Sequence, residues 1–200
     1  MTTQPESVLG FLFGPSGSAA EIAGRQRKLW FGKSPANDLA VIEHFAATLP
    51  AAAASKLNHW TATPRGRLAL VIVLDQFPHH IYRDKPQAFD TDPQALALSL
   101  DALKTGEDQQ LTPIERVFLY LPLEHAESVT LQEQSVALYA KLAHEAAADE
   151  RALFDDFLNY ARQHRDVVAR FGRFPHRNAI LGRPSTPDEL EFLKQPGSRF

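Results

Sequence analysis

Apolar residues recur along this chain every three to four positions, and the recurrence is broken repeatedly by one kind of signal. A short polar residue precedes a proline at Ser34-Pro35, Thr63-Pro64, Asp92-Pro93, Thr112-Pro113 and Thr186-Pro187. Each pair offers an N-cap oxygen and then a residue whose fixed φ and missing N–H suit the first helical position. Glu115 and Glu189 stand three residues after Thr112 and Thr186, so those two starts read as capping boxes. Between the caps, Leu96, Leu100 and Leu103 form one helical stripe, and Ile114, Val117, Phe118 and Leu121 form another. The run LALVIVL at 68–74 carries β-favouring residues, but it follows a Thr-Pro start and its apolar character continues to Phe77. It predicts a buried central helix, apolar on every side. The pattern as a whole predicts an all-α fold, a single domain over residues 1–200 built of stacked antiparallel helices. The cap–proline pairs at 34, 63 and 92 fall 29 residues apart, a spacing that points to stacked helical hairpins.

Composition narrows the function classes. A chain of 200 residues, 44% hydrophobic and 22% charged, suits one globular core. Cysteine is absent, which excludes disulfides, thiol catalysis and Cys-ligated zinc. The start MTTQPESVLGFLFG lacks a basic region and its apolar stretch is broken by Gly10 and Gly14, so no secretory signal is expected. No segment approaches the roughly 20 apolar residues of a membrane span. A cytoplasmic protein is the expectation. A net charge of −3 gives no general reason to bind nucleic acid or an anionic membrane. Walker, dinucleotide, GxSxG and HExxH signatures are all missing.

The candidate chemistry sits in a motif that occurs twice, DQFPHHIYR at 75–83 and GRFPHRNAILGR at 172–183. Asp75 shares a helix face with Leu68, Val71 and Ile72, near a helix C-terminus where the macrodipole disfavours its charge. It needs a partner, either a histidine that it orients or an arginine. Pro122 is expected to end one helix, and Thr130 with Glu133 to open the next as a capping box. Glu124, His125 and Glu127 then lie at a helix junction, where a histidine flanked by carboxylates can serve as an acid or base. His164 falls on the apolar face of its helix and reads as a packing residue. Arg162, Asp166 and Arg170 read as a solvated strip at i, i+4 spacing. Beyond Gly172, a helix C-cap, the segment packs Arg173, His176, Arg177 and Asn178 into six residues. Arginine forks at that density suit a carboxylate or phosphate. The spacings of His79, His80, His125, His164 and His176 are not those of a metal site, and no metal or cofactor is expected.

These segments together resemble an uncharacterised bacterial family, the domain of unknown function numbered 924. VLGFLFG, LWFGKSPANDLAVIEHF, TPRGRLALVIVLDQFP, LPLEHAES and the block from 159 to 192 carry the resemblance. It implies an all-helical fold related to tetratricopeptide-like α–α superhelices, and it implies no reaction. Where the family usually reads FPRN, this chain has Phe77, Pro78, His79 and His80. Where the family reads HSE it has His125, Ala126 and Glu127, and Leu12 replaces a usual tryptophan. If the arginine of relatives holds an anion, His79 replaces it only when protonated.

The leading expectation is an anionic small-molecule site where the two FPH segments meet the His125 junction. Asp75 and Glu127 would orient histidines, His125 or His176 would transfer protons, and His79, Arg173, Arg177 and Asn178 would hold the ligand. Two alternatives stand beside it. One is a tetratricopeptide-like module that binds a peptide or protein in a concave groove. The other is a purely structural polar network.

Overall fold

Four helices among the described residues begin where a serine or threonine N-cap directly precedes a proline. The computed structural model describes residues 3–198, and among them helices and 3-10 turns are present but no strand. In chain order the helices are α1 (Pro5–Phe13), α2 (Ala19–Phe31), α3 (Pro35–Phe45), α4 (Thr48–Ala53), α5 (Pro64–Asp75) and α6 (Phe77–Ile81). There follow α7 (Asp92–Thr105), α8 (Pro113–Glu124), α9 (Val129–Glu145), α10 (Arg151–Phe171) and α11 (Pro187–Phe192). The fold is all-α.

Both expected capping boxes form. Glu115 Oε2 accepts from the Thr112 N–H at 2.9 Å, and Glu189 Oε2 accepts from the Thr186 N–H at 2.7 Å. Ser18 and Glu21 make a third box at the head of α2, without a proline to announce it. Three local expectations fail. Asp92 is the first residue of α7 and not its cap, because Thr91 precedes it and donates its hydroxyl to the Leu74 carbonyl at 2.6 Å. Pro122 does not end α8 but lies inside its last turn, where it costs the one ladder bond its missing N–H would have made, and the ladder continues to His125 N–H on Leu121 O at 2.8 Å. α9 starts from Ser128, ahead of Thr130, when Gln132 N–H bonds Ser128 O at 2.9 Å, and Glu133 turns outward to Arg165.

The run at 68–74 is the hub of the core. Every residue in it is at most 2% exposed, so the helix is apolar all round because it is surrounded. It packs against α1, α4, α7 and α8. Each such side chain stabilises the fold by about 1.5–3 kcal/mol relative to exposure. The approach is closest at Gly66, where a Cβ would meet the Trp60 carbonyl oxygen at 2.1 Å. Two of the 29-residue intervals do share an element order. α3, α4 and a 3-10 turn at Asn58–Ala62 are followed by α5, α6 and a 3-10 turn at Pro86–Phe89.

The C-terminal part supplies the opposite wall of the candidate site. α9 and α10 pack closely along their lengths, and α10 closes at Gly172, which takes the left-handed conformation at φ 70°. A small separate apolar cluster of Val167, Val168 and Phe174, with Phe171 and Phe192 against it, then pins the second FPH segment to the end of α10.

Candidate functional site

Helix ends converge here. α5 ends at Asp75, α8 ends in Glu124 with His125 as its C-cap, and α6 carries His79 and His80. The 3-10 turn Pro175–Arg177 brings His176 and Arg177, and α10 contributes Tyr160 and His164. Together with Trp30 and Phe31 from the end of α2 they line a cavity of about 620 Å³. Five of the chain's eight histidines, His79, His80, His125, His164 and His176, face it.

Asp75 lies behind the cavity wall, fully buried, and its Oδ1 accepts from His125 Nδ1 at 2.9 Å. Burial pushes the Asp75 carboxyl up, but the His125 charge, the His125 hydrogen bond and a 2.6 Å bond from Gln76 hold it below the ordinary carboxylate range. Burial likewise disfavours the His125 cation, yet Asp75 outweighs it and His125 is raised above an ordinary histidine. With Nδ1 fixed on Asp75, Nε2 is the nitrogen left to a ligand.

The other imidazoles go the opposite way. Burial drives His79 and His164 down to about 3 and His176 to about 4, with the nearby His125 and Arg177 charges adding to the effect. Burial also lowers His80, against the pull of Asp38, whose Oδ1 meets His80 Nδ1 at 2.9 Å. The cavity therefore sets one imidazole of raised proton affinity among rings whose proton affinity is lowered. His79 and His125 are 5.9 Å apart between ring centroids, and His125 and His164 are 6.4 Å apart. His164 is not only a packing residue. Its Nδ1 donates to Tyr160 O at 2.9 Å and lies 3.2 Å from Glu124 Oε1, whose carboxyl burial raises to about 7.

Arg177 is 7% exposed, with its guanidinium between two rings, 4.8 Å from the centroid of Phe89 and 4.6 Å from that of Phe174. Its Nη1 is 3.6 Å from Asp92 Oδ2, and its Nε makes no hydrogen bond among the described residues. Burial lowers its proton affinity, although it remains a cation.

Three other sequence-selected residues form a separate cluster. Glu127 accepts from Phe174 N–H at 2.8 Å and pairs with both terminal nitrogens of Arg183 at 2.6 and 2.8 Å. Asn178 accepts from Arg183 Nε at 3.0 Å and donates to Ser185 Oγ at 3.0 Å. Arg173 forks onto Glu189 at 2.6 and 2.8 Å and reaches Pro184 O. The structure thus brings Asp75, His79, His125, His176 and Arg177 together and sets Glu127, Arg173 and Asn178 apart from the cavity lining. The expected strip on α10 is also rearranged, because Asp166 pairs with Arg165 at 2.6 Å and Arg170 approaches Asp188.

A sequence model of bacterial proteins of unknown function, DUF924, matches residues 8–197. The chain belongs to this family. A solved structure of a protein of unknown function from Agrobacterium tumefaciens superposes with a TM-score of 0.74 at 37% identity, over 88% of this chain and 96% of that one. No curated protein matches.

Within this DUF924 chain, His79 does not act as a cation near neutral pH, because burial keeps its ring neutral. Positive charge at the inner end comes from Arg177 and His125. Among the described residues, no group of three or more histidine or acidic side chains is arranged to hold a metal ion, and no helix is long and apolar enough to cross a membrane. Sequence reasoning left Glu124 and His164 out of the candidate set, and it saw Asp92 only as a cap. Phe89 gave no signal at all, since an aromatic beside a proline turn is ordinary.

Proposed function

We propose that this protein binds a small organic anion in the His125 cavity and that His125 exchanges a proton with it. The Asp75–His125 hydrogen bond carries this reading. A buried carboxylate that serves one imidazole, with that imidazole on a cavity wall, fixes tautomer and orientation as acid–base chemistry requires. Asp75 is the positioning residue, His125 the proton donor or acceptor, and Arg177 the anion receptor. The neutral rings of His79 and His176 supply directional hydrogen bonding. A cavity of about 620 Å³ lies within the ordinary range for small-molecule sites.

The part of the second FPH segment beyond Arg177 reads differently. Glu127, Arg183, Asn178, Arg173 and Glu189 satisfy one another, which supports a structural lock that holds Arg177 and His176 against the cavity.

Thermal-shift screening of the full chain against carboxylates, phosphates and nucleotides tests the ligand claim. Some members should raise the melting temperature in proportion to the logarithm of their concentration, and Arg177→Lys should remove the effect. A panel without a single saturable shift for the native chain overturns the reading.

A further inference from the structure

Taking the cavity as an anion site, we propose that Arg177 receives the carboxylate of an organic acid with an apolar body, and that Asp92 is the counter-ion this carboxylate displaces. Besides His125, four cationic side chains line the cavity, Arg27, Lys33, Arg83 and Arg177. Arg27 is paired with Asp156, and Arg83 clasps Asp38 through Nε and Nη2. Lys33 is exposed at the mouth. Arg177 alone of the four is buried, and the one carboxylate within 4 Å of it among the described residues, Asp92, stands at 3.6 Å, outside good hydrogen-bond distance. Both sides of that pair are incompletely satisfied, since Arg177 Nε and Asp92 Oδ1 are buried without a hydrogen bond among the described residues. A buried fork left half-used in this way costs the fold free energy, and a ligand carboxylate would satisfy it.

One fork suits one carboxylate. A phosphate dianion is ordinarily met by several converging donors, and the neutral His79, His164 and His176 do not add charge. Part of the remaining lining is aromatic, with Trp30, Phe31, Phe89 and Phe157 available to a flat apolar body.

Displacement has a proton consequence. Asp92 feels Asp75 and Glu127 as like charges and His125 and Arg177 as opposite ones, and burial above all raises its carboxyl to about 7. A second carboxylate on Arg177 adds a like charge and weakens the Arg177 pairing. Both changes favour neutral Asp92, so binding takes up a proton and weakens as pH rises through neutrality.

Isothermal titration of the full chain with benzoate at neutral pH, in two buffers of different protonation enthalpy, tests this. Native protein should bind benzoate better than acetate or phenyl phosphate and take up about half a proton per ligand. Asp92→Asn should bind benzoate roughly tenfold more tightly with little uptake, and Asp92→Ser serves the same purpose if the asparagine variant melts early. Benzoate binding that is unaltered in affinity and uptake by either substitution overturns the role of Asp92. Tighter binding of phenyl phosphate than of benzoate overturns the carboxylate assignment. In both cases the anion site itself stands, whereas it falls only if no anion of the wider panel binds.

Discussion

Asp75 Oδ1 and His125 Nδ1 meet at 2.9 Å across fifty residues of chain, one at the end of α5 and the other capping α8. Neither would hold its charge alone in that position. Burial opposes both, and each is kept ionised by the other.

Asp75→Asn should therefore keep a hydrogen-bond acceptor for His125 but lose the charge. The prediction is that the His125 ring titrates lower than in the native chain, because burial and Arg177 then oppose its cation with Asp92 left to favour it. Histidine ring NMR across pH reads this directly. An unchanged titration would mean that Asp75 does not set the protonation of His125.

Stability should have a maximum near pH 6.5. Between about 4 and 6.5 the unfolded chain protonates His79, His164 and His176, which the fold drives down to about 3 or 4, and His80, which the fold also lowers, while the fold retains protons on Glu124 and Asp92, both raised to about 7. Those three alone outnumber the two, so stability rises with pH in that window, by about 1.4 kcal/mol per pH unit for each net proton. Below it, protonation of Asp75, Asp38, Glu127 and Glu189, all held low in the fold, removes more stability. Above 6.5 the sign reverses, because Glu124, Asp92 and His125 still hold protons that the unfolded chain has released. Urea unfolding at a series of pH values measures the curve, and His164→Gln should reduce its acid slope by about one proton.

The Glu127–Arg183 pair should behave as structure. Arg183→Ala leaves Glu127 with only the Phe174 N–H and frees Asn178 Oδ1, so stability should drop by about 1–3 kcal/mol. Arg177→Lys should do the reverse, keeping charge and most stability while losing the anion by roughly 10- to 100-fold, the loss of one or two charge-assisted hydrogen bonds. Chemical denaturation and ligand titration on the same two variants separate the roles.

Gly66→Ala tests the packing of α5. A methyl there would meet backbone, the Trp60 carbonyl, and not a movable side chain. A loss of about 1–3 kcal/mol or more is expected despite the better helix propensity of alanine, visible as a lowered urea midpoint.

Much of the fold was legible in the cap–proline pairs, because a proline at the first helical position states a boundary without tertiary information. Pro122 misled for the same reason. Proline is tolerated in a final turn, and nothing local distinguishes that from a helix end. Thr130 and Glu133 satisfied the capping pattern, but Ser128 starts the ladder earlier and Glu133 pairs across to α10. In the candidate site, Asp75 was legible as a buried carboxylate at a helix end that needs a partner. Which partner it takes depends on how α5 and α8 pack. Arg173, Arg177 and Arg183 look alike in sequence, yet two fork onto carboxylates and one enters an aromatic clamp. Asp92 was hidden by its position before Pro93, where an aspartate is expected for local reasons.

The central claim is that an anion enters the cavity beside His125 and Arg177. Histidine ring NMR of the native chain during titration with benzoate, phosphate and phenyl phosphate tests it most directly. The account predicts a saturable shift of the His125 ring signals, accompanied by those of His79 and His176, with His44 and His59, which do not line the cavity, unmoved. Parallel, unsaturable drift of all the histidines, or no shift at all, would contradict it.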